Sequence, residues 1–207
     1  MMEKTDKKTD ILVAAEKLFC EYGFEGTSTR QIAAESGANM AMINYYFGSK
    51  MGVFKEIMED RVMSFKSQLN QIKDENISAK EKLMKVIDQY ATRILSNANF
   101  HKMMHRELSL SLRPEVFDQI KGAMGQNLIV IEDIIKEGIA CGDFRDVDIR
   151  MTIVSVMGTI SMVTTSPNKI APDTSYDLDN EKDREVIKTR LIAHLQDMIL
   201  THLTPKQ

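Results

Sequence analysis

The stretch TSTRQIAAESGANMAMINYYFGSK, residues 27–50, decides the fold because it holds the start and stop residues of two short helices. Ser28 or Thr27 is a suitable N-cap for a first helix over Thr29–Ser36, and Gly37 ends it. A second short helix follows the glycine turn. This arrangement is typical of a helix-turn-helix.

The second short helix, predicted over Met40–Phe47 after an Asn39 N-cap, places its three consecutive aromatic residues on different faces. At about 100° per residue, Ile43 and Phe47 share one face and point toward the core. Ala41, Met42 and Tyr45 face directly away from the core, and Asn44 and Tyr46 lie on the flanks. A helix this short cannot bury all three aromatic rings, so its outer face is predicted to contact another molecule.

The rest of the chain also predicts helices, so the fold class is all-α. Glycine and proline are scarce, at 10 and 4 of 207 residues, and no stretch alternates as a strand would. A helix from Thr9 or Asp10 to Gly23 comes first, and a long connector helix spans residues 50–73. Further helices are predicted over 79–96, 100–112, 114–140, from 146 or 148 to 164, and 181–203. The predicted domains are a three-helix domain over 1–52 and a larger helical domain over 53–207.

Composition limits the class of protein. With 43% hydrophobic and 28% charged residues, the chain resembles soluble globular proteins. No apolar stretch reaches the roughly 20 residues of a membrane-spanning helix, and the polar start MMEKTDKKTD is unlike a signal peptide. Cys20 and Cys141 fit no metal or disulfide spacing, so they are predicted to be small core residues of a cytoplasmic protein. No motif indicates a cofactor or a catalytic site, and an enzyme is not expected.

In a helix-turn-helix the second helix lies in the DNA major groove, with its N-terminal residues near the base edges. We therefore predict that Met40 and Ala41 contact thymine methyl groups, that Asn44 pairs with adenine, and that Tyr45 and Tyr46 donate to phosphates. The alternative is that both tyrosines pack under the connector helix. The predicted surface also includes the start of the preceding helix, which holds Ser28, Thr29 and Arg30. It further includes Asn39, the N-cap of the second helix, and Lys50, which adds a point charge.

Charge supports this surface only locally. The net charge of the chain is −3, and the first fifty residues hold six lysines and arginines against seven acids. Arg30 and Lys50 bracket the predicted surface, opposed there by Glu35 alone. We expect a small positive footprint on a domain that is not basic as a whole.

Residues 11–50 resemble the DNA-binding domain of the TetR family of bacterial transcriptional repressors, nearly without gaps. The segments AA..LF, GF.GTS, IA...G and YYF.SK carry the resemblance, while Asn44 stands where the family more often has an aromatic residue. EGIACGDFRDVD, residues 137–148, is similar to the family's link between the two helices before its dimer interface. The resemblance implies a homodimeric transcriptional regulator, most often a repressor, with a C-terminal domain for effector binding and dimerisation.

The same resemblance implies that the helices over 79–96, 100–112 and 114–140 wall an effector cavity. Methionine adapts to irregular apolar shapes, so we predict a mainly apolar or amphipathic effector; the alternative is no ligand at all. HKMMH puts two histidines four positions apart, a spacing compatible with a soft metal, but no third ligand accompanies them and no metal is predicted. The predicted effector contacts are His101, Met103, Met104, His105, Leu108, Phe117 and Met124.

A four-helix dimer interface is predicted from the helices over 148–164 and 181–203. Its apolar stripes are Ile149, Ile153, Val156, Met157 and Ile160 in the first helix, and Ile187, Leu191, Leu195, Met198 and Ile199 in the second. The predicted function is therefore a ligand-responsive regulator that binds a two-fold-symmetric DNA operator as a homodimer. Its recognition helices would lie about 34 Å apart or at a larger interval. The alternative is a helical small-molecule-binding or interaction protein that keeps the helix-turn-helix without reading DNA.

Overall fold

The computed structural model describes residues 7–110 and 114–205, and the side chains of residues 114–117 and 119 lie outside the described part. Within these ranges the chain forms α-helices and one short 3₁₀ turn, with no strand, which confirms the all-α prediction. The elements are α1 (Lys7–Gly26), α2 (Thr29–Ser36), α3 (Met40–Phe47), α4 (Lys50–Lys73), α5 (Ala79–Ser96), α6 (Ala98–Leu110), α7 (Pro114–Ala140), α8 (Ile149–Thr165), the 3₁₀ turn (Pro167–Ile170) and α9 (Glu181–Leu203).

Most helix boundaries follow the predicted caps, and the differences have local causes. Gly23 does not end α1: its φ of 75° and ψ of 173° break the helix there, and a further turn continues to Gly26. Between the two proposed caps of α8, Asp148 is the one used, since its side chain accepts a hydrogen bond from the backbone N–H of Met151. α6 begins two residues before the predicted Phe100, and the predicted end of this helix at 112 lies outside the described residues.

The chain packs as two compact units. The first comprises the described residues up to Ser64 and those between Lys102 and Ala123. The second comprises Phe65–His101 and the described residues from Met124 onward. The division into functional domains at residue 52 stays a prediction. Helices α4, α6 and α7 each contribute residues to both units.

An aromatic cluster fills the core of the first unit. Phe19 and Phe24 stack with ring centroids 5.6 Å apart, and Phe54 meets both rings edge-on at 5.3 and 5.1 Å. Ile43 and Ile32 are also fully buried, so α2 and α3 each contribute an apolar anchor. Burial of side chains of this size stabilises the fold by about 1.5–3 kcal/mol each. The helix-turn-helix is therefore held firmly against α1 and the start of α4.

The core of the second unit includes α5, α8 and α9, and it buries part of the apolar stripes predicted for the dimer interface. Ile153 and Ile160 of α8 are buried in the core of their own chain, as are Ile187, Leu191 and Leu195 of α9. These fully buried side chains are covered within the protomer, so they cannot lie at a dimer interface, whereas the predicted four-helix interface itself stays a prediction. Ile149, Val156, Met157 and Met198 pack against the same core, and Ile199 lies within it.

The outer face of α8 carries a second set of apolar side chains. Met151 is 61% exposed and Val154 is 57% exposed, and Met162 further along the helix is also exposed. Cys141 is also exposed, so the prediction that it is a core residue is wrong. This cysteine follows the last residue of α7, in a turn where Gly142 has a φ of 80°. No helix in the described ranges is long and apolar enough to cross a membrane.

Candidate DNA-binding surface

A capping box fixes the start of α2. The Ser28 hydroxyl oxygen accepts from the backbone N–H of Gln31 at 3.2 Å, and the Gln31 side chain accepts from the backbone N–H of Ser28 at 2.8 Å. The backbone N–H groups of Thr29 and Arg30 come before the first intrahelical bonds and carry the positive end of the helix dipole. Arg30 is exposed beside them. This end of α2 is suited to a phosphate oxygen.

The turn between α2 and α3 is built from local bonds. Gly37 ends α2 in the left-handed region, with φ 62° and ψ 22°, and its N–H bonds back to the Ala33 carbonyl. A residue with a Cβ would be strained at this φ. Asn39 then caps α3, because its side-chain oxygen accepts from the N–H of Met42 at 2.9 Å. The two helices thus have a defined connection that does not depend on a partner.

The inner face of α3 rests on one fully buried side chain, Ile43. Phe47 was expected in the core beside it but is only half-buried, with its ring 5.8 Å from the Lys8 ammonium. An eight-residue helix offers one full contact turn to the core, so its last residue lies at the edge. The prediction that Ile43 is buried agrees with the structure. Phe47 lies on the predicted inner face but is less buried than expected.

The outer face of α3 is exposed. Tyr45 is 83% exposed and Tyr46 is 37% exposed, with their rings edge to face at 5.1 Å. Met40, Ala41 and Asn44 are exposed on the same helix. The alternative in which both tyrosines pack under the connector helix does not describe this structure. One accessible surface therefore carries two phenol hydroxyls, a side-chain amide and the apolar side chains of Met40 and Ala41.

Glu35, the acid that the sequence places beside this surface, is paired with a lysine. The Lys17 ammonium on α1 donates to the Glu35 carboxylate at 2.6 Å. This hydrogen bond, followed by the negative charge of Glu35, raises the pKa of Lys17. Because Glu35 is paired, its repulsion of an approaching phosphate is reduced, and the exposed charge of Arg30 is less opposed than the sequence alone suggested.

Lys50, predicted as a point charge for DNA, is half-buried. Its ammonium donates to the carbonyl oxygens of Phe24 at 2.7 Å and Thr27 at 2.8 Å, and lies 4.2 Å from the centroid of the Phe24 ring. These three contacts tie the start of α4 to the turn between α1 and α2. The lysine therefore has an internal role that its spacing in the sequence does not indicate.

Three further residues support the surface in roles that the sequence analysis did not assign to them. Gln31 completes the capping box, and the S-x-x-Q spacing could have revealed it. The buried Thr27 hydroxyl donates to the carbonyls of Leu18 and Gly23, at 3.1 and 2.8 Å. Arg106 of α6 packs on Gly23, where an added Cβ would lie 2.6 Å from Nη2. Only tertiary packing reveals the last two.

The residues predicted to bind an effector differ widely in exposure. His101 is buried, with Nε2 3.1 Å from the Ser161 hydroxyl of α8, and Met103 is buried too. The half-buried members are Met104, Leu108 and Met124, whereas His105 is exposed and the side chain of Phe117 is outside the described part. In residues 7–110 and 114–205, no group of three or more His, Cys, Asp or Glu side chains is placed to hold a metal ion. The effector contacts stay a prediction.

Comparisons with known proteins identify the class. Residues 11–57 match the family described as bacterial regulatory proteins, tetR family, and residues 76–165 match a tetracyclin repressor-like C-terminal domain. The HTH-type transcriptional repressor NicS of Pseudomonas putida is 32% identical over 165 residues, which cover 75% of this chain and 74% of NicS. The fatty acid metabolism regulator protein of Bacillus subtilis is 26% identical over 182 residues, covering 86% of this chain and 91% of that protein.

The fold also matches solved structures. A crystal structure of the transcriptional regulator FadR from Bacillus subtilis in complex with stearoyl-CoA has a TM-score of 0.74 at 22% identity, covering 94% of this chain and 98% of that one. The class of protein is thus a helix-turn-helix transcriptional regulator. The chain belongs to the TetR family of bacterial regulatory proteins.

Proposed function

We propose that this chain is a homodimeric repressor that binds a two-fold-symmetric DNA operator and leaves it when an amphipathic effector binds. The single observation that carries the DNA-binding part is the outer face of α3. It exposes Tyr45, Tyr46 and Asn44 while Ile43 anchors the opposite face. A helix held in this way can enter a major groove without losing its packing.

Each exposed group has a distinct role toward DNA. The hydroxyls of Tyr45 and Tyr46 donate to phosphate oxygens, and the Asn44 amide is suited to adenine. Met40 and Ala41 lie nearest the base edges and offer apolar contact to thymine methyl groups.

The start of α2 binds a neighbouring phosphate. The Arg30 guanidinium supplies the charge, and Thr29 supplies a backbone N–H at the positive end of the helix. Ser28 and Asn39 use their side chains as caps, so their contribution is to hold the two helix starts in place.

A second copy of the chain covers the outer face of α8. Met151, Val154 and Met162 are exposed there, and Ser155 and Gly158 between them allow a close approach of two helices. An exposed apolar face of this kind indicates association between proteins. A two-fold axis through it would present two α3 helices to two half-sites of an operator.

The effector is proposed to be an amphipathic molecule with a long acyl chain, such as a fatty acyl thioester. The proposal is supported by the similarity to the fatty acid metabolism regulator protein of Bacillus subtilis and to the structure of FadR from Bacillus subtilis solved with stearoyl-CoA. The methionines at 103, 104 and 124 agree with an apolar chain. His101, which contacts Ser161, is the candidate for orienting the polar part.

Selection of bound fragments from a random DNA library tests the DNA-binding part, and the selected sequences should be two-fold symmetric. Thermal-shift measurements with acyl-CoAs of increasing chain length should then find a stabilising ligand that also lowers operator affinity in a gel shift. A coupling of about 1–3 kcal/mol would lower it 5- to 150-fold. Failure to enrich any sequence would contradict the repressor proposal, and stabilisation without release of DNA would contradict the effector mechanism.

A further inference from the structure

The ammonium of Lys50 is already bound within its own chain. It donates to two backbone carbonyls, those of Phe24 and Thr27, at 2.7 and 2.8 Å, and it lies over the Phe24 ring at 4.2 Å. Hydrogen bonds between a charged donor and a carbonyl are stronger than neutral ones, and the face of an aromatic ring adds attraction. Leaving this position for a phosphate would break all three contacts at once.

Lys50 holds a turn in which several backbone carbonyls are bound by groups outside the regular helix pattern. Gly23 breaks α1 with a φ of 75°, which lies outside the helical region. The Thr27 hydroxyl serves the carbonyls of Leu18 and Gly23. The Phe24 carbonyl accepts from the Thr27 N–H at 3.3 Å as well as from Lys50 at 2.7 Å. The lysine thus adds two charge-assisted hydrogen bonds to this turn.

The same turn determines where α2 begins. Thr27, whose carbonyl accepts from Lys50, is followed directly by Ser28, the N-cap of α2. Any displacement of the Thr27 carbonyl therefore moves the capping box and the N–H groups of Thr29 and Arg30. Because α3 is joined to α2 by a fixed turn, its outer face would move as well.

We propose that Lys50 is a positioning residue for DNA binding. Its ammonium orders the turn before α2 and does not neutralise a phosphate. The proposal rests on the proposed function, in which the start of α2 and the outer face of α3 meet DNA. It differs from the expectation drawn from the sequence, in which Lys50 is a backbone contact. The two roles predict different salt dependence, since only a phosphate contact releases counterions.

The test compares Lys50→Met with Arg30→Met in the full-length dimer, on a DNA fragment enriched by the wild type. Both changes remove one positive charge per protomer and keep an unbranched apolar side chain. Arg30→Met should lower the slope of log Kd against log salt by about 1.8, counting two protomers. Lys50→Met should weaken binding about tenfold at every salt concentration with the slope unchanged, and Lys50→Arg should restore part of the affinity. A slope that falls as much for Lys50→Met as for Arg30→Met would overturn the proposal.

A measurement on the wild type keeps the proposal testable if Lys50→Met does not fold. Acetylation of the free protein, followed by mass spectrometry, should modify Lys50 at least tenfold more slowly than Lys80, which is exposed. DNA should change the rate at Lys50 little. Rapid acetylation of Lys50 in the free protein, with protection only on DNA, would overturn it. A wild type that enriches no DNA would contradict the proposed function instead, and the acetylation rate would still test the placement of the lysine.

Discussion

Substitution of Gly52 by alanine tests how closely α3 is held against the start of α4. A Cβ at position 52 would lie 1.9 Å from the backbone carbonyl oxygen of Phe47 and 2.9 Å from its carbon. Real Cβ contacts essentially never fall below 3.0 Å, so the oxygen must move by at least 1.1 Å. No rotamer change can relieve this contact, because the atom that is struck belongs to the main chain at the end of α3.

Two opposing effects decide the sign of the change in stability. Alanine in place of glycine within a helix stabilises it by about 1 kcal/mol. Overpacking costs about 1–3 kcal/mol, and a clash with backbone lies toward the upper end of this range. Gly52→Ala should therefore lower the free energy of unfolding by about 1–2 kcal/mol. The end of α3 should also move, which displaces the two tyrosines and weakens operator binding.

Gly122→Ala is the matched control. Gly122 also lies inside a helix, but nothing lies within 4 Å of its added Cβ, so this variant should gain up to about 1 kcal/mol. Urea unfolding of both variants at one protein concentration, with gel shifts on the selected operator, measures both effects. If Gly52→Ala were as stable as Gly122→Ala and bound DNA like the wild type, the inferred close approach of Phe47 would be wrong.

Three further changes probe other parts of the molecule. Ser28→Ala removes the acceptor of the Gln31 N–H and should lower the free energy of unfolding in urea by about 1 kcal/mol, whereas Ser28→Asn should stay near the wild type. Equal stability of all three proteins would contradict the capping role. Val154→Arg puts a charge on the outer face of α8 and should give monomers in sedimentation at micromolar concentration, so a persistent dimer would place the interface elsewhere. Burial, followed by the charge of Glu16, raises the pKa of the Cys20 thiol to about 11. At pH 8 a thiol reagent should therefore react slowly with Cys20 and rapidly with the exposed Cys141. Equal reaction rates at the two cysteines would contradict this prediction.

The parts of this protein that the sequence alone determined are those governed by neighbouring residues. Asn39 and Asp148 act as caps through bonds to N–H groups three positions away, so the starts of α3 and α8 could be read from the chain. Ile43 was predictable for a similar reason, since helical periodicity and burial of one face leave few choices in a helix of eight residues. The resemblance of residues 11–50 to the TetR family likewise rests on local motifs.

Tertiary structure decided what depends on distant partners. Periodicity predicts that α8 and α9 each have an apolar face, but it cannot say whether α5 or a second chain covers it; here α5 covers the face that includes Ile153 and Leu191. The sequence shows that Lys50 is charged, but its ammonium meets carbonyls 26 and 23 positions earlier in the chain, which only folding brings together. A helix cap bonds to residues a few positions away in the chain, so it can be predicted locally. The partner of an apolar stripe or of a buried cation is distant in the chain and depends on how the helices pack.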